Sequence, residues 1–416
     1  MGGSAVSVGL SGPLSVPWPR PEGARGRAGA GWGALDLGRI DAQRERPYWL
    51  ALANVPGIGP VSFARLLHRF GGAEAAWRAG MALLEVVERA PAEAGAAIAA
   101  IEVEGVVRFA GRLERDLDRV GAFAVAAYDA RYPAALADLD PRPAVLYLRG
   151  STAVLDPLCV AVVGTRRPTG YGLTIAREIA DELSRAGASI VSGLAVGIDG
   201  EAHAACLDAA GRTVAVLPCP IDRVYPPRHR ALADRILESG GLLVSELAPD
   251  RAVGKPDFAR RNRIIAGLAR ATIVVEAPDG SGALLTAAAA LQCGRDVYAV
   301  PGPIDAVTSR GCNRLIADQS AALVTSAVAL SHQLGATPGG KPISVASLSE
   351  PEAIVLAALF RRSGSIEELI DRTRLRTSLV AAALTMLEAR RLVTSYGGAT
   401  FHVTLDARRL ERNGRV

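Results

Sequence analysis

The sequence predicts an α/β protein in three parts: a helical N-terminal unit, a doubly wound parallel sheet, and a C-terminal unit of three helices and a β-hairpin. Three observations carry this. Between Val160 and Val324, short apolar runs rich in β-branched residues alternate with helical spacing, the pattern of a parallel sheet covered on both faces. Before them, residues 47–121 repeat apolar positions at helical spacing around Pro56-Gly57-Ile58-Gly59. After them, a Gly/Pro/Ser stretch (335–349) leads to a segment (350–405) whose helical pattern ends in two short runs around Gly397-Gly398.

With 416 residues, half of them apolar, the chain is long enough for two or three sizeable cores. A net charge of +5 and a pI near 9.1 bias it toward acidic partners. Lys255 and Lys341 are the only lysines in a strongly arginine-based set of cations. Cys159, Cys206, Cys219, Cys293 and Cys312 are odd in number and lack Cys-x-x-Cys spacing, which disfavours a disulfide framework or a zinc site. No apolar run reaches the ~18 residues of a membrane helix. The N-terminus lacks the basic-then-apolar order of a secretory signal. The expectation is a cytoplasmic protein with no membrane partner, metal or other cofactor.

Residues 1–46 are rich in Gly, Pro, Ala and Arg without periodicity, and read as a disordered extension or a start codon placed too early. Helical patterning begins near Tyr48. Within the helical domain (47–121), the apolar-Pro-Gly-Ile-Gly turn between two helices resembles a helix-hairpin-helix, whose glycines let a nucleic-acid backbone reach the N–H groups of a helix start. The same residues suit a plain tight connection, with Gly57 and Gly59 supplying left-handed dihedrals.

The sheet domain (122–334) opens with short strands and prolines, Val145–Leu148 reading as an edge strand. Further strands fall at Val160–Val163, Ser189–Val191, Thr213–Leu217, Leu242–Ser245, Thr272–Glu276, Val297–Val300 and Ala322–Val324, with helices between most of them. In such a sheet the ligand crevice lies past the carboxyl ends of the strands. The C-terminal segment (350–405, then a tail, 406–416) resembles a winged helix, with Arg372, Arg374 and Arg376 at or before its third helix. A solvated arginine run on a dimerisation or docking module is the alternative.

Four loops should converge on the crevice. In Gly164-Thr165-Arg166-Arg167 a buried strand breaks into a glycine turn and opens a helix, a phosphate-binding design. It is neither Gly-x-Gly-x-x-Gly nor a Gly-Lys-Ser/Thr P-loop; it carries two arginines instead. Ser192-Gly193-Leu194-Ala195-Val196-Gly197-Ile198-Asp199 has small residues that either bare their amides to phosphate or permit close helix–sheet packing. Lys255-Pro256-Asp257-Phe258-Ala259-Arg260-Arg261-Asn262-Arg263 combines a lysine, three arginines and an aromatic, which suits a single-stranded nucleic acid: charge for phosphates, a ring for a base. On a helix Arg260 and Arg263 share a face, as do Phe258 and Arg261 or Asn262. A solvated charge run with Phe258 in the core is the competing reading. The fourth loop, Ala277 to Ala287 with Ser281-Gly282, opens another helix and is an anion site by geometry, or a packing device.

Asp199 and His203 stand four residues apart, and a structural hydrogen bond between them is favoured over metal or acid–base work, since two ligands do not complete a metal site. Ser192 has no evident histidine–acid pair, so nucleophilic catalysis is weak.

Taken together, Gly164-Thr165-Arg166, Tyr171-Gly172, Ser192 to Asp199 with Ala202-His203, Arg261 to Leu268, Glu276-Ala277, Ser281 to Leu284, Gly294-Arg295 and Val300-Pro301-Gly302 resemble the DNA-processing protein A family (DprA, also called Smf), over roughly residues 122–330. The resemblance implies an extended Rossmann-like domain between a helical domain and a winged helix. It implies single-stranded DNA binding in a basic pocket, a homodimer, and hand-over of that DNA to the RecA recombinase in natural transformation, without enzymatic activity. Arg166 is then a phosphate contact, and Lys255, Phe258, Arg261, Asn262 and Arg263 line the pocket, Phe258 stacking on a base. Gly164, Thr165, Ser192, Gly193, Ser281 and Gly282 complete the implied DNA-binding set. Thr165 stands where the family usually has serine, Ala259 where proline is common, and Gln319-Ser320 where a glycine is usual. The rival is a nucleotide-binding enzyme resembling phosphoribohydrolases. Those need a glutamate in a Pro-Gly-Gly-x-Gly-Thr-x-x-Glu loop, and Pro278 to Thr286 has no acid at that place.

Overall fold

Asp41 starts the first helix: its carboxylate accepts from the amides of Gln43 and Arg44, both at 3.2 Å, and caps α1 (Ala42–Asn54). The extension read as disordered to residue 46 therefore ends earlier. Charged residues and Pro47 conceal the start of a helix that buries Trp49, Leu50 and Leu52. Trp32, also within that stretch, is buried and stacks on Phe63 with ring centres 6.1 Å apart. The computed structural model describes residue 32 and residues 35–87, 90–137, 139–156, 158–336, 348–389, 392–396 and 400–403. The remainder of the N-terminal extension, most of the 335–349 linker, Gly397-Gly398 and the 406–416 tail lie outside these.

The helical unit continues with α2 (Pro60–Phe70), α3 (Ala73–Arg78), α4 (Glu93–Glu104) and α5 (Val106–Arg119). Of the two turn glycines only Gly57 is left-handed (φ 85°); Gly59, the N-cap of α2, is extended (φ −88°).

The sheet domain runs β1 (Ala122–Ala126), β2 (Val145–Gly150), β3 (Cys159–Val163), α6 (Gly170–Arg185), β4 (Ser189–Ser192), α7 (Ile198–Asp208), β5 (Thr213–Leu217), α8 (Arg230–Glu238), β6 (Leu242–Ser245), α9 (Lys255–Leu268), β7 (Ala271–Val274), α10 (Gly282–Gln292), β8 (Asp296–Ala299), α11 (Arg310–Ala317), β9 (Ala322–Leu323) and α12 (Ala327–Gln333). Nine strands form one sheet in the order β1-β2-β6-β5-β4-β3-β7-β8-β9. Pairing from β6 to β9 is parallel; β2 is antiparallel to both its neighbours. Thus β2 is not the edge strand expected: β1 pairs along it from Ala122↔Arg149 to Ala126↔Val145 and takes the edge.

Alternation along β3 fills both faces. Val160 and Val162 join a core with α6, α7 and α12, whereas Ala161 and Val163 join a larger core shared with α9, α10 and the whole helical unit. The chain runs β3 to β6 in one direction; α9 then carries it back to β7, on the other side of β3. Order reverses between β3 and β7, which sets the crevice there.

The C-terminal unit comprises α13 (Glu350–Arg361), α14 (Ile366–Thr373), α15 (Thr377–Ala389) and the antiparallel pair β10 (Val393–Tyr396) and β11 (Thr400–Val403). It has its own core, centred on Leu356, Leu369, Leu384 and Phe401. The Arg372 guanidinium donates to the carbonyls of Arg362 and Ser363 and so ties two helices together. No helix among the described residues is long and apolar enough to cross a membrane.

Candidate nucleic-acid interface

The loops after β3, β4 and β7 are laced together. Thr165 N donates to Glu276 O at 2.7 Å, and Ile198 N donates to Thr165 O at 3.3 Å. The Glu276 carboxylate is buried and accepts from the Thr169 amide (2.8 Å) and hydroxyl (2.7 Å), holding the turn into α6. Outside these strand ends opens a cleft of about 470 Å³, lined by Gly164, Thr165, Arg166, Lys255, Phe258, Asn262, Ser281 and Gly282 among others.

Its floor holds two buried ionisable groups, Asp199 and Arg261. The amides of Gly164, Gly193 and Ala195 converge on the Asp199 carboxylate, Gly193 N at 3.2 Å. Arg261 lies beneath Gly193, donating to the carbonyls of Gly193 and, at 2.7 Å, Val216. A Cβ on Gly193 would sit 2.0 Å from Arg261 Nη1, so this glycine exists for close packing. Burial pulls the Arg261 guanidinium down to about 10, against the pull of Asp199, and burial likewise pushes the Asp199 carboxyl up, against Arg261 and the three amides. The loop amides expected to be bare for phosphate are thus occupied by a carboxylate of the protein itself.

The rim is basic and aromatic. Arg166 is exposed, its guanidinium carbon 5.3 Å from the centre of the Phe258 ring. Tyr225 packs edge-to-face with Phe258, ring centres 5.4 Å apart. Behind Phe258 lies a second hollow of about 310 Å³, walled by Tyr225, Pro226, Pro227 and Arg228. Tyr225 and Arg228 escape a reading based on glycine loops; the signal for them is an aromatic-Pro-Pro-Arg segment just after β5. Lys255, one turn before Phe258 on α9, is exposed and lines the same cleft. Asn262 ties α9 to α10 through Nδ2 to Gly282 O at 3.1 Å, and Ser281 caps α10 by accepting from Ala283 N at 3.3 Å.

A basic, aromatic cleft at a topological switch point agrees with the comparisons. The family described as DNA recombination-mediator protein A matches residues 123–335, and a DprA-like N-terminal HHH domain matches residues 43–103. The chain belongs to the DprA/Smf family. It is 36% identical over 362 residues to a putative DNA processing protein DprA of Mycobacterium tuberculosis, covering 84% of this chain and 92% of that one. It is 38% identical over 315 residues to protein Smf of Synechocystis, covering 71% and 74%. The X-ray structure of DprA from Streptococcus pneumoniae superposes with a TM-score of 0.58 at 31% identity, covering 68% of this chain and 95% of that one.

Not every residue that the DprA resemblance implies reaches the cleft. Ser192 is fully buried and donates its hydroxyl to Val162 O at 2.6 Å, inside the sheet. Arg261 does line the cleft, but as an almost fully buried floor residue whose guanidinium is committed to the carbonyls of Gly193 and Val216. Arg263 points to the opposite side of α9, donating to Pro141 O at 2.6 Å and to both oxygens of Glu246 at 2.5 and 2.7 Å. Helical spacing already separates Arg260 and Arg263 from Phe258 and Asn262. The expected Asp199–His203 bond is absent too: Asp199 turns to the loop amides, and His203 Nδ1 lies 2.8 Å from Thr213 Oγ1. Among the described residues no group of three or more His, Cys, Asp or Glu side chains is placed to hold a metal ion.

Proposed function

We propose that the switch-point cleft binds single-stranded DNA and changes no bond in it. The observation that carries this is the Arg166–Phe258 stack, with Lys255 one turn before Phe258 on α9 and lining the same cleft: cations for phosphates beside a ring for a base. Asp199, the carboxylate that lines the cleft, is committed to loop amides, and Glu276, at the end of β7, to Thr169, which disfavours acid–base chemistry on a nucleotide.

Family membership supports a role in which the bound strand is kept for recombination and passed to RecA during natural transformation, by a homodimer in the cytoplasm. In this reading the C-terminal unit is a winged helix.

The test is anisotropy of a labelled oligothymidine against salt. Binding should weaken steeply with salt, with little dependence on sequence. The double variant R166A/K255A should bind at least tenfold more weakly; equal affinity would refute the site. Release of free base from nucleoside monophosphates would instead favour the hydrolase reading, and a RecA filament-assembly assay tests the hand-over.

A further inference from the structure

Helix α9 has a second basic face. Arg260 and Arg263, one turn apart, lie away from the switch-point cleft. With Arg251 they wall a groove of about 310 Å³ whose other side is the turn from Gly57 to Ser62. Three arginines and no carboxylate line this groove. Arg263 is paired behind it with Glu246. Arg251 donates to Asn54 O at 3.0 Å, which anchors the turn and leaves its charge in place. Arg260 is exposed; Asp257, 3.6 Å away, is itself engaged by the Gly254 amide.

The two glycines of the turn differ. Gly57 is left-handed, and a Cβ there would meet Pro91 Cδ at 2.4 Å, so the fold requires it. Gly59 is extended, and no atom lies within 4 Å of where its Cβ would be. Neither backbone nor packing requires glycine. It occupies the N-cap of α2 with no side-chain cap, where Ser or Asp would accept from a first-turn amide and stabilise the helix slightly. Gly282, at the start of α10 in the switch-point cleft, is open in the same way. Both clefts therefore combine cationic side chains with a helix-start glycine that leaves open space beside the backbone, at α2 with no side-chain cap and at α10 with Ser281 taking one amide, an arrangement suited to phosphate.

We propose that the groove between the helix–hairpin turn and the Arg260 face of α9 is a second phosphodiester site, and that a strand held in the switch-point cleft continues across α9 into it. This rests on the single-stranded DNA reading above. From Lys255 to Arg263 the helix rises about 12 Å, so a strand of modest length reaches both sites.

The experiment compares oligothymidines of about 6 and about 24 nucleotides, one short enough for a single site and one able to span two. Gly59→Asp caps α2 and puts a carboxylate where a phosphate would sit; Arg260→Ala removes the exposed cation. The double variant should keep or raise the melting temperature and leave the short strand's affinity unchanged. It should weaken the long strand at least tenfold and lower its salt slope by about 0.7 per lost contact. Unchanged long-strand affinity overturns the groove. So does an equal loss at both lengths, or a loss confined to duplex DNA. R166A/K255A serves as the control: if it changes neither length, the switch-point reading fails, and the groove with it.

Discussion

Arg166 lies across the ring of Phe258, guanidinium carbon to ring centre 5.3 Å, although one comes from the turn after β3 and the other from the first turn of α9. The contact spans the mouth of the cleft and gives the rim a flat, charged, aromatic surface. An exposed cation–π pair is worth about 0.5–1 kcal/mol, too little to explain the fold, so its interest lies in what it presents to a ligand.

Phe258→Ala should weaken oligothymidine binding by about 1–3 kcal/mol, the usual worth of one base stack. Arg166→Ala should cost about tenfold and reduce the salt slope by about 0.7. Because the side chains touch, the double variant should lose less than the sum of the two. An anisotropy titration in which F258A binds like the parent protein would remove the ring from the interface.

Arg261 should behave as a structural residue. Arg261→Ala removes the buried cation whose charge favours ionised Asp199 and strands the carbonyls of Gly193 and Val216. Each buried carbonyl left without its donor costs about 1–3 kcal/mol. Urea unfolding should show this loss, with Arg261→Met plus Asp199→Asn recovering part of it. A stable R261A that binds DNA poorly would put the guanidinium back among the ligand contacts.

Arg263 makes the opposite case to Lys255. Arg263→Ala breaks the link to Glu246 and Pro141, and should lower stability by about 1–3 kcal/mol without altering the affinity of a short strand. Lys255→Ala should weaken that strand and leave stability unchanged. Equal short-strand losses in the two variants would contradict the division of α9 into two faces.

The parallel strands were legible because buried β-branched runs report themselves locally, and the convergence of the loops follows from topology alone. What stayed hidden was how polar groups are used up. Nothing local in Ser192 or Asp199 says that the first bonds Val162 O and the second fills the amide nest. The position of β2 depended on β1, which lies 19 residues upstream across a proline-containing loop with no periodicity of its own. Arg263 differs: its helical phase relative to Phe258 was readable, and family membership pointed the other way.

His203 ties stability to pH. It is fully buried, bonded through Nδ1 to Thr213, and burial draws its pKa from 6.5 to about 3. The folded protein thus keeps the ring neutral while the unfolded chain protonates it below about 6.5. A base whose folded pKa is depressed contributes stability that is complete above the unfolded value. As pH falls from about 6.5 toward 3 that contribution drains away, by up to about 1.4 kcal/mol per pH unit. Urea midpoints measured from pH 7.5 to 4.5 should therefore fall more steeply in the parent protein than in His203→Gln, which has no proton to gain. Parallel pH profiles would mean that the ring takes up its proton inside the fold, so that burial between α7 and β5 does not exclude the charge.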